Sequence, residues 1–341
     1  MGDSLHLWGI GLIQEIQSRL EEYSGLLVFL SHIGDPRFAF SIYFPVAYFL
    51  HRSVGKRVLW VAVISEWLNA VAKWLLHGER PYWWVHESGL YKKDQIPHLQ
   101  QFNITCETGP GSPSGHAMIT SAVWYILVSD LLYYKQAQSV LTHLACWACY
   151  LLVMFAVCVS RLFIATHFPH QVIAGIFSGM LLGKILNSLS TTTLTFYHYV
   201  VTSALLSIIA ASIYMLVGVL GYDPLWSVVV ATKWCAFREW VHMDTTLFYS
   251  IVRDISSLLG LGVAGTLFTT NEKSIDGPVK KICQIALALF ITMTTDKLKA
   301  SPDDIFLFYF LGFAKHFIVV FIIAALVPAL FVTFPRNKLF K

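Results

Sequence analysis

The sequence predicts an all-α polytopic membrane protein: a single domain over residues 1–341 with about nine transmembrane helices and an active site facing the lumen. Three observations predict it. Hydrophobic residues make up 56% of the 341 and charged residues only 13%, a balance outside that of soluble globular chains. Apolar runs of about 20 residues, enough to cross a hydrocarbon core about 30 Å thick, recur along the whole length. The polar residues that break the pattern gather at run ends sharing one side of the membrane. The net charge of +4 is small and no basic run occurs, so no nucleic-acid partner is expected and the lipid bilayer is the predicted surroundings. There is no internal repeat or low-complexity linker.

The runs lie near 27–50, 58–76, 115–134, 143–163, 169–187, 198–220, 250–269, 281–296 and 305–332. Gly34, Asp35, Pro36 and Arg37 interrupt the first, and Asp35 as N-cap with Pro36 at the first helical position predicts a helix start there. Ahead of it, Leu12, Ile13, Ile16 and Leu20 share one side of a helix suited to the membrane surface. No cationic segment precedes a short apolar core, so no cleavable signal peptide is expected.

Basic residues set the orientation. Arg52, Lys56, Arg57, Lys135, Lys184, Lys273, Lys280, Lys281, Arg336, Lys338 and Lys341 fall in one set of loops, against only Asp130, Glu272 and Asp276. The positive-inside rule makes that set cytosolic, with the N-terminus outside and the C-terminus inside. Loops 77–114 and 221–249 then lie on the opposite, luminal side. The sequon Asn103-Ile104-Thr105 falls in the first, which predicts a glycan on Asn103. Cys106 and Cys235 lie one in each luminal loop, where an oxidising compartment permits a bridge, although spacing alone does not establish the distance a disulfide demands. Cys146, Cys149, Cys158 and Cys283 fall inside runs and read as free thiols. Glu66 and Lys315, near the middles of the second and ninth runs, should face the bundle interior, and pairing them would close the bundle behind the site.

The polar clusters are Lys73 with Arg80-Pro81, then Pro113-Ser114-Gly115-His116, Ser160-Arg161, and His167. All lie at the luminal ends of their runs, and each suits one task, holding a phosphoryl group while a bond to it breaks. Lys73 and Arg80, seven residues apart, project from nearly the same helix face. Arg80 and Arg161 offer planar forks for phosphate oxygens, and Lys73 a point charge. The stretch 109–115 opens the third helix, where unpaired backbone N–H groups and the helix dipole favour an anion. His116 and His167 are left as candidate nucleophile and acid/base, work an imidazole can do near neutral pH. Singly, each residue reads as a membrane-boundary anchor or a satisfied polar group; the constellation is the signal. A metal reading of His116, His167 and His170 lacks a carboxylate or Cys at ligand spacing, and no cofactor is expected.

The series Lys73…Arg80-Pro81, Pro113–His116 and Ser160-Arg161…His167 resembles the three-part signature of the phosphatidic-acid-phosphatase type 2 superfamily. The words Arg80-Pro81-Tyr82-Trp83-Trp84, Cys106 through His116 and His167-Phe168-Pro169-His170-Gln171 resemble its glucose-6-phosphatase branch. Residues 84–89 and 34–36 lean toward that branch's third, broadly expressed member. The resemblance implies hydrolysis of glucose 6-phosphate or a close sugar 6-phosphate in the endoplasmic-reticulum lumen, coupled to a glucose-6-phosphate transporter. It implies His167 as nucleophile, His116 as general acid/base, and Lys73, Arg80, Ser114, Gly115 and Arg161 as phosphate ligands. It implies no metal. The wider superfamily carries Asp four residues after the nucleophile; this chain has Gln171, which accepts the ring N–H without adding charge, so a backbone carbonyl, Glu107 or Asp244 is left to share that role.

Two other readings use the same residues. A lipid phosphate phosphatase would need a lateral opening and little sugar recognition, whereas the 221–249 loop carries Trp234, Trp240, His242, Asp244 and Thr245, suited to stacking on and hydrogen-bonding a hydroxylated ligand. A non-catalytic anion transporter would use the same cations without a nucleophile.

Overall fold

The computed structural model describes residues 2–134, 136, 139–191, 193–267, 277–298, 300, 301 and 303–331, and among these helix is the only regular structure. The predicted cytosolic residues Lys135, Lys273, Arg336, Lys338, Lys341, Glu272 and Asp276 lie outside them. In chain order the α-helices are α1 (Gly2–Arg19), α2 (Ser24–Ile33), α3 (Pro36–Phe38), α4 (Phe44–Leu50), α5 (Arg52–Leu76), α6 (Pro81–Glu87), α7 (Gly115–Tyr134), α8 (Val140–Phe163) and α9 (Pro169–Leu186). After them come α10 (Phe196–Val219), α11 (Trp226–Trp234), α12 (Leu247–Leu267), α13 (Pro278–Asp296), α14 (Ile305–Phe321) and α15 (Val327–Leu330).

Among the described residues, 6 helical stretches are long and apolar enough to cross a membrane: Arg52–Glu87, Gly115–Tyr134, Val140–Phe163, Phe196–Val219, Arg238–Leu267 and Ile305–Leu330. The other predicted intervals are helical too, but α9 and α13 fall short of those criteria and the first interval is broken. The break is the expected one. Asp35 caps α3 by accepting from the Arg37 backbone N–H at 2.8 Å, Pro36 opens the helix, and π-helical residues Ala39–Tyr43 lead into α4.

α5 is the central pillar. It is apolar nearly all round, and Val58, Leu59, Val61, Ala62 and Val63 are buried among α4, α7, α10 and α12. α7 and α9 form the tightest pair, because Gly175, Gly179 and Gly183 turn a small-residue edge toward α7. A Cβ on Gly179 would stand 2.1 Å from the Met118 carbonyl oxygen, so only glycine permits this approach. On α1, Ile10 and Ile13 are buried against α6 and the start of α9, and His6 stacks on Phe168 at 4.2 Å.

Ion pairs mark the two ends of the bundle. At the end away from the predicted site, Arg57 pairs with Asp130 at 2.6 Å and Lys281 donates to the Leu50 carbonyl at 3.1 Å. The expected Glu66–Lys315 pair does not form. α12 packs between α5 and α14 and supplies Arg253 to Glu66, while Lys315 meets Asp296 at 3.7 Å and the Leu298 carbonyl at 3.3 Å.

Candidate active site

Each sequence cluster reaches the same end of the bundle through an identifiable local device. α5 stops after Lys73: His77, at φ 47°, caps the helix in the left-handed region and returns its N–H to the Lys73 carbonyl. The chain then turns, so Arg80 lies beyond α5 and shares no helix face with Lys73, contrary to the seven-residue spacing; it precedes Pro81, which starts α6. α8 likewise ends in a left-handed residue, Ala165 (φ 54°), and the reversal delivers Thr166 and His167 before Pro169 opens α9. Asn69, one turn before Lys73, donates to the Pro113 carbonyl at 3.1 Å and so ties α5 to the start of α7.

The centre of the arrangement is Glu107. Its carboxylate bridges Arg161 and Arg80, the latter at 2.9 Å, and lies 3.5 Å from His116 Nδ1. Arg80, wholly buried, also donates to the carbonyls of Gly109 (2.7 Å), Pro110 (3.2 Å) and Thr166 (3.3 Å), which hold its planar fork in place. Arg161 donates to Ser31 Oγ at 2.8 Å, and its Nε is buried without a partner. Lys73 lines the same cavity, its Nζ 3.8 Å from where a Cβ on Gly109 would stand.

His167 sits beneath, wholly buried. Its Nδ1 is 2.9 Å from the Gly111 carbonyl oxygen and 3.3 Å from Gln171 Oε1, so the Nδ1–H tautomer is fixed and Nε2 carries the lone pair. That Nε2 has no partner. Gln171 is held in turn: Oε1 accepts from the Phe168 backbone N–H at 3.0 Å, and Nε2 donates to the Glu79 carbonyl at 2.6 Å. Gly111 is required because a Cβ there would stand 2.3 Å from the Glu79 carbonyl oxygen and 2.8 Å from Gln171. The backbone carbonyl and Gln171 thus share the orienting role that a carboxylate plays in the wider superfamily; Glu107 and Asp244 make no bond to His167.

Electrostatics follow from burial among cations. Burial, and after it the Arg80 and Arg161 guanidiniums, hold the His167 imidazole well below its ordinary range, so the ring is neutral. Burial works to protonate Glu107, but Arg161 and Arg80 outweigh it and hold its carboxyl well below the usual range.

The structure brings Lys73, Arg80, Gly115, His116, Arg161 and His167 to one cup, but it corrects the reading of the 109–115 stretch as a row of free donors. The Gly111 N–H is spent on the Gly78 carbonyl (2.6 Å) and that of Ser114 on the Gln171 carbonyl (3.1 Å). The groups left for an anion include the first turn of α7 at Gly115 and His116 and the unpartnered Ser114 Oγ. His170 points away, into the aromatic pile of Phe168 and His6. Above the cup the cavity is lined by Asp35, Arg37, Asn69, His242, Asp244 and Thr245; Trp234 and Trp240 are not among its walls. Trp234 instead stacks on His86 at 4.1 Å. Arg37 pairs with Asp35 at 2.5 Å and reaches Asp244 at 3.7 Å. Cys106 and Cys235 are joined, with Cα atoms 5.7 Å apart, and the other cysteines are free. Sequence reasoning missed Asn69, Ser31 and Arg253; the one signal available was that Glu66, Asn69 and Lys73 recur along one face of α5.

Comparison with known proteins bears on this geometry. Residues 54–195, which carry the whole cup, match the PAP2 superfamily. The chain is 40% identical to glucose-6-phosphatase 2 of Mus musculus over 96% of both chains. It is 40% identical to glucose-6-phosphatase catalytic subunit 1 of Haplochromis nubilus, covering 96% of this chain and 95% of that one. Identity to glucose-6-phosphatase 3 of Homo sapiens is 38%, covering 94% and 93%, so likeness to the third member is present at a level the other two share. No solved structure matches. A cup built on the superfamily's motifs, within full-length similarity at this level, establishes that the chain belongs to the glucose-6-phosphatase family of the PAP2 superfamily.

Proposed function

We propose that this protein hydrolyses glucose 6-phosphate, or a close sugar 6-phosphate, to free sugar and inorganic phosphate through a phosphohistidine on His167. One observation carries the reading: His167 presents a neutral, unpartnered Nε2 at the base of a cup walled by two buried arginines. The sugar-phosphate substrate follows from the names of the relatives and from a cavity whose upper walls are polar.

In the proposed mechanism Lys73, Arg80, Ser114, Gly115 and Arg161 hold the phosphate oxygens and balance the charge that spreads over them in the transition state. Nε2 of His167 attacks phosphorus as the bond to the sugar oxygen breaks. His116 gives its proton to that oxygen, and free sugar leaves. His116, now a base, takes a proton from water, whose oxygen attacks phosphorus and breaks the P–N bond. The Nδ1–H bonds to Gly111 and Gln171 keep the ring aligned through both steps.

The topology proposed is nine spans in the endoplasmic-reticulum membrane, the cup luminal, the N-terminus luminal and the C-terminus cytosolic. It is supported by Arg57 and Lys281 at the end opposite the cup and by an exposed Asn103 on the cup's side, which we read as the glycosylated residue. Loop 77–114 carries phosphate-binding residues, and loop 221–249 caps the cavity through His242, Asp244 and Thr245. A luminal site for a phosphate ester made in the cytosol implies a glucose-6-phosphate transporter as functional partner.

Phosphate labelling tests the reading. Purified protein given glucose 6-phosphate should trap acid-labile phosphate on His167. His167→Ala should lose both label and turnover. His116→Ala should stop turnover while an activated aryl phosphate still labels the protein. Label that survives in His167→Ala and vanishes in His170→Ala would move the nucleophile. Faster turnover of phosphatidic acid than of glucose 6-phosphate would favour the lipid phosphatase, and anion binding without hydrolysis the transporter. An electrophoretic shift of wild type but not Asn103→Gln after endoglycosidase treatment checks the orientation.

A further inference from the structure

Glu107 occupies the position in the cup where the chemistry calls for a phosphoryl group. Its two oxygens take the guanidinium donors of Arg80 and Arg161, the cations best arranged for phosphate. The open cavity above is lined by Glu107, Lys73, Gly115, His116 and Arg161, but by neither Arg80 nor His167. The carboxylate therefore borders the open cavity while holding Arg80, which does not.

We propose that Glu107 is a built-in competitor for the phosphate: it fills the arginine bridge in the empty enzyme, is displaced when substrate arrives, and then serves as the positioning residue of His116. The inference rests on the hydrolase reading above. The displacement is a side-chain rotation, because the backbone on both sides is fixed. Cys106 is bridged to Cys235, the Tyr82 hydroxyl donates to the Glu107 carbonyl at 3.1 Å, and the Thr108 carbonyl accepts from Ser227 at 2.9 Å. A donor open to a displaced carboxylate is His116 Nδ1, already 3.5 Å away. A hydrogen bond from Nδ1–H to Glu107 fixes the tautomer with Nε2 toward the leaving oxygen and stabilises the imidazolium that donates its proton. Ion pairs are exchanged and no covalent bond changes. A dianionic phosphoryl group outbids one carboxylate for two arginines, whereas a monoanion of similar size does so poorly, so the device also filters ligands by charge.

Glu107→Gln keeps the shape and removes the charge. Orthovanadate should bind this variant at least ~10-fold more tightly than wild type, the effect of freeing a site whose competent state was about a tenth populated. Turnover of glucose 6-phosphate should fall about 10²-fold, the lower range for a misplaced acid/base. With p-nitrophenyl phosphate, whose leaving group needs no proton, the variant should give a burst of about one equivalent and then slow hydrolysis. Equal or weaker orthovanadate binding, or proportional losses on both esters with no burst, overturns the proposal. Should Glu107→Gln fold poorly, wild type bound to orthovanadate decides: a structure with Glu107 still bridging Arg80 and Arg161 overturns it, and one with Glu107 rotated to His116 supports it. His167→Ala separates the two levels. Retained turnover there would remove the hydrolase reading itself, whereas its loss together with untightened orthovanadate binding in Glu107→Gln removes only this inference.

Discussion

Glu107 and Glu66 each pair with arginine in this protein, and they differ in how the local charge balances. Glu107 faces Arg80 and Arg161 with Lys73 close by, so its cluster holds a surplus of positive charge. Glu66 faces Arg253, one carboxylate against one guanidinium, so that pair leaves no positive charge over. Both border one cavity and both tie helices together, yet only the first has anything to offer an anion. Position in the fold does not separate a joint from a site; the presence of uncompensated positive charge does.

The largest break in this comparison comes from geometry at constant charge. Arg80→Lys and Arg161→Lys keep the surplus but replace a fork by a point, and each should lower kcat ~10²–10³-fold, since the transition state loses directed donors. Steady-state kinetics giving losses under about 5-fold would mean that surplus charge alone suffices. At the other cluster the effect should fall on stability. Glu66→Gln and Arg253→Met should each cost about 3–5 kcal/mol by stranding a buried charge, and the double mutant should recover part of it. Thermal unfolding in detergent measures the cycle, and strictly additive losses would argue against a direct pair. Smaller again is the bridge: Cys106→Ser with Cys235→Ser should cost about 2–5 kcal/mol, and alkylation of native protein without reduction should leave both residues unmodified. Complete alkylation would remove the covalent anchor of the capping loop.

The smallest effect is on pH. Because folding depresses the His167 pKa, the ring stays neutral in the native enzyme well below pH 6.5, while the unfolded chain takes up a proton there. Labelling by p-nitrophenyl phosphate should therefore persist at about pH 5.5, and stability should decline as pH falls below about 6.5, the range where the unfolded imidazole titrates. A labelling rate that halves near pH 6.5 would show an ordinary imidazole and weaken the charge argument.

Helix positions and cup membership were legible in the sequence for a physical reason: apolar runs must span, and a polar residue at a run's end has few acceptable roles. The motif residues Lys73, Arg80, His116, Arg161 and His167 needed only a shared membrane face to be grouped. What spacing could not convey was who pairs with whom. Glu66 was expected to reach Lys315, but α12 lies between and carries its own arginine. Of the three groups the sequence leaves to orient His167, a backbone carbonyl does so, while Glu107 faces the cations instead. The backbone N–H groups of Gly111 and Ser114 were read as free donors, and tertiary contacts consume them. Pairing depends on which helices are neighbours, which a hydropathy pattern does not encode.

The glycine edge of α9 has a consequence for variation far from the chemistry. His116 rides on the first turn of α7, and His167 stands just ahead of α9, so the separation of the two imidazoles is set by how closely those helices lie. Gly179 is twelve residues beyond His167 and touches nothing in the cup, yet one methyl group there meets the Met118 carbonyl. Such a substitution acts as a wedge driven between rails, widening the gauge at the active end while every polar residue keeps its identity. Inactivating changes along this edge would be missed by any survey of variants restricted to charged and hydrogen-bonding side chains.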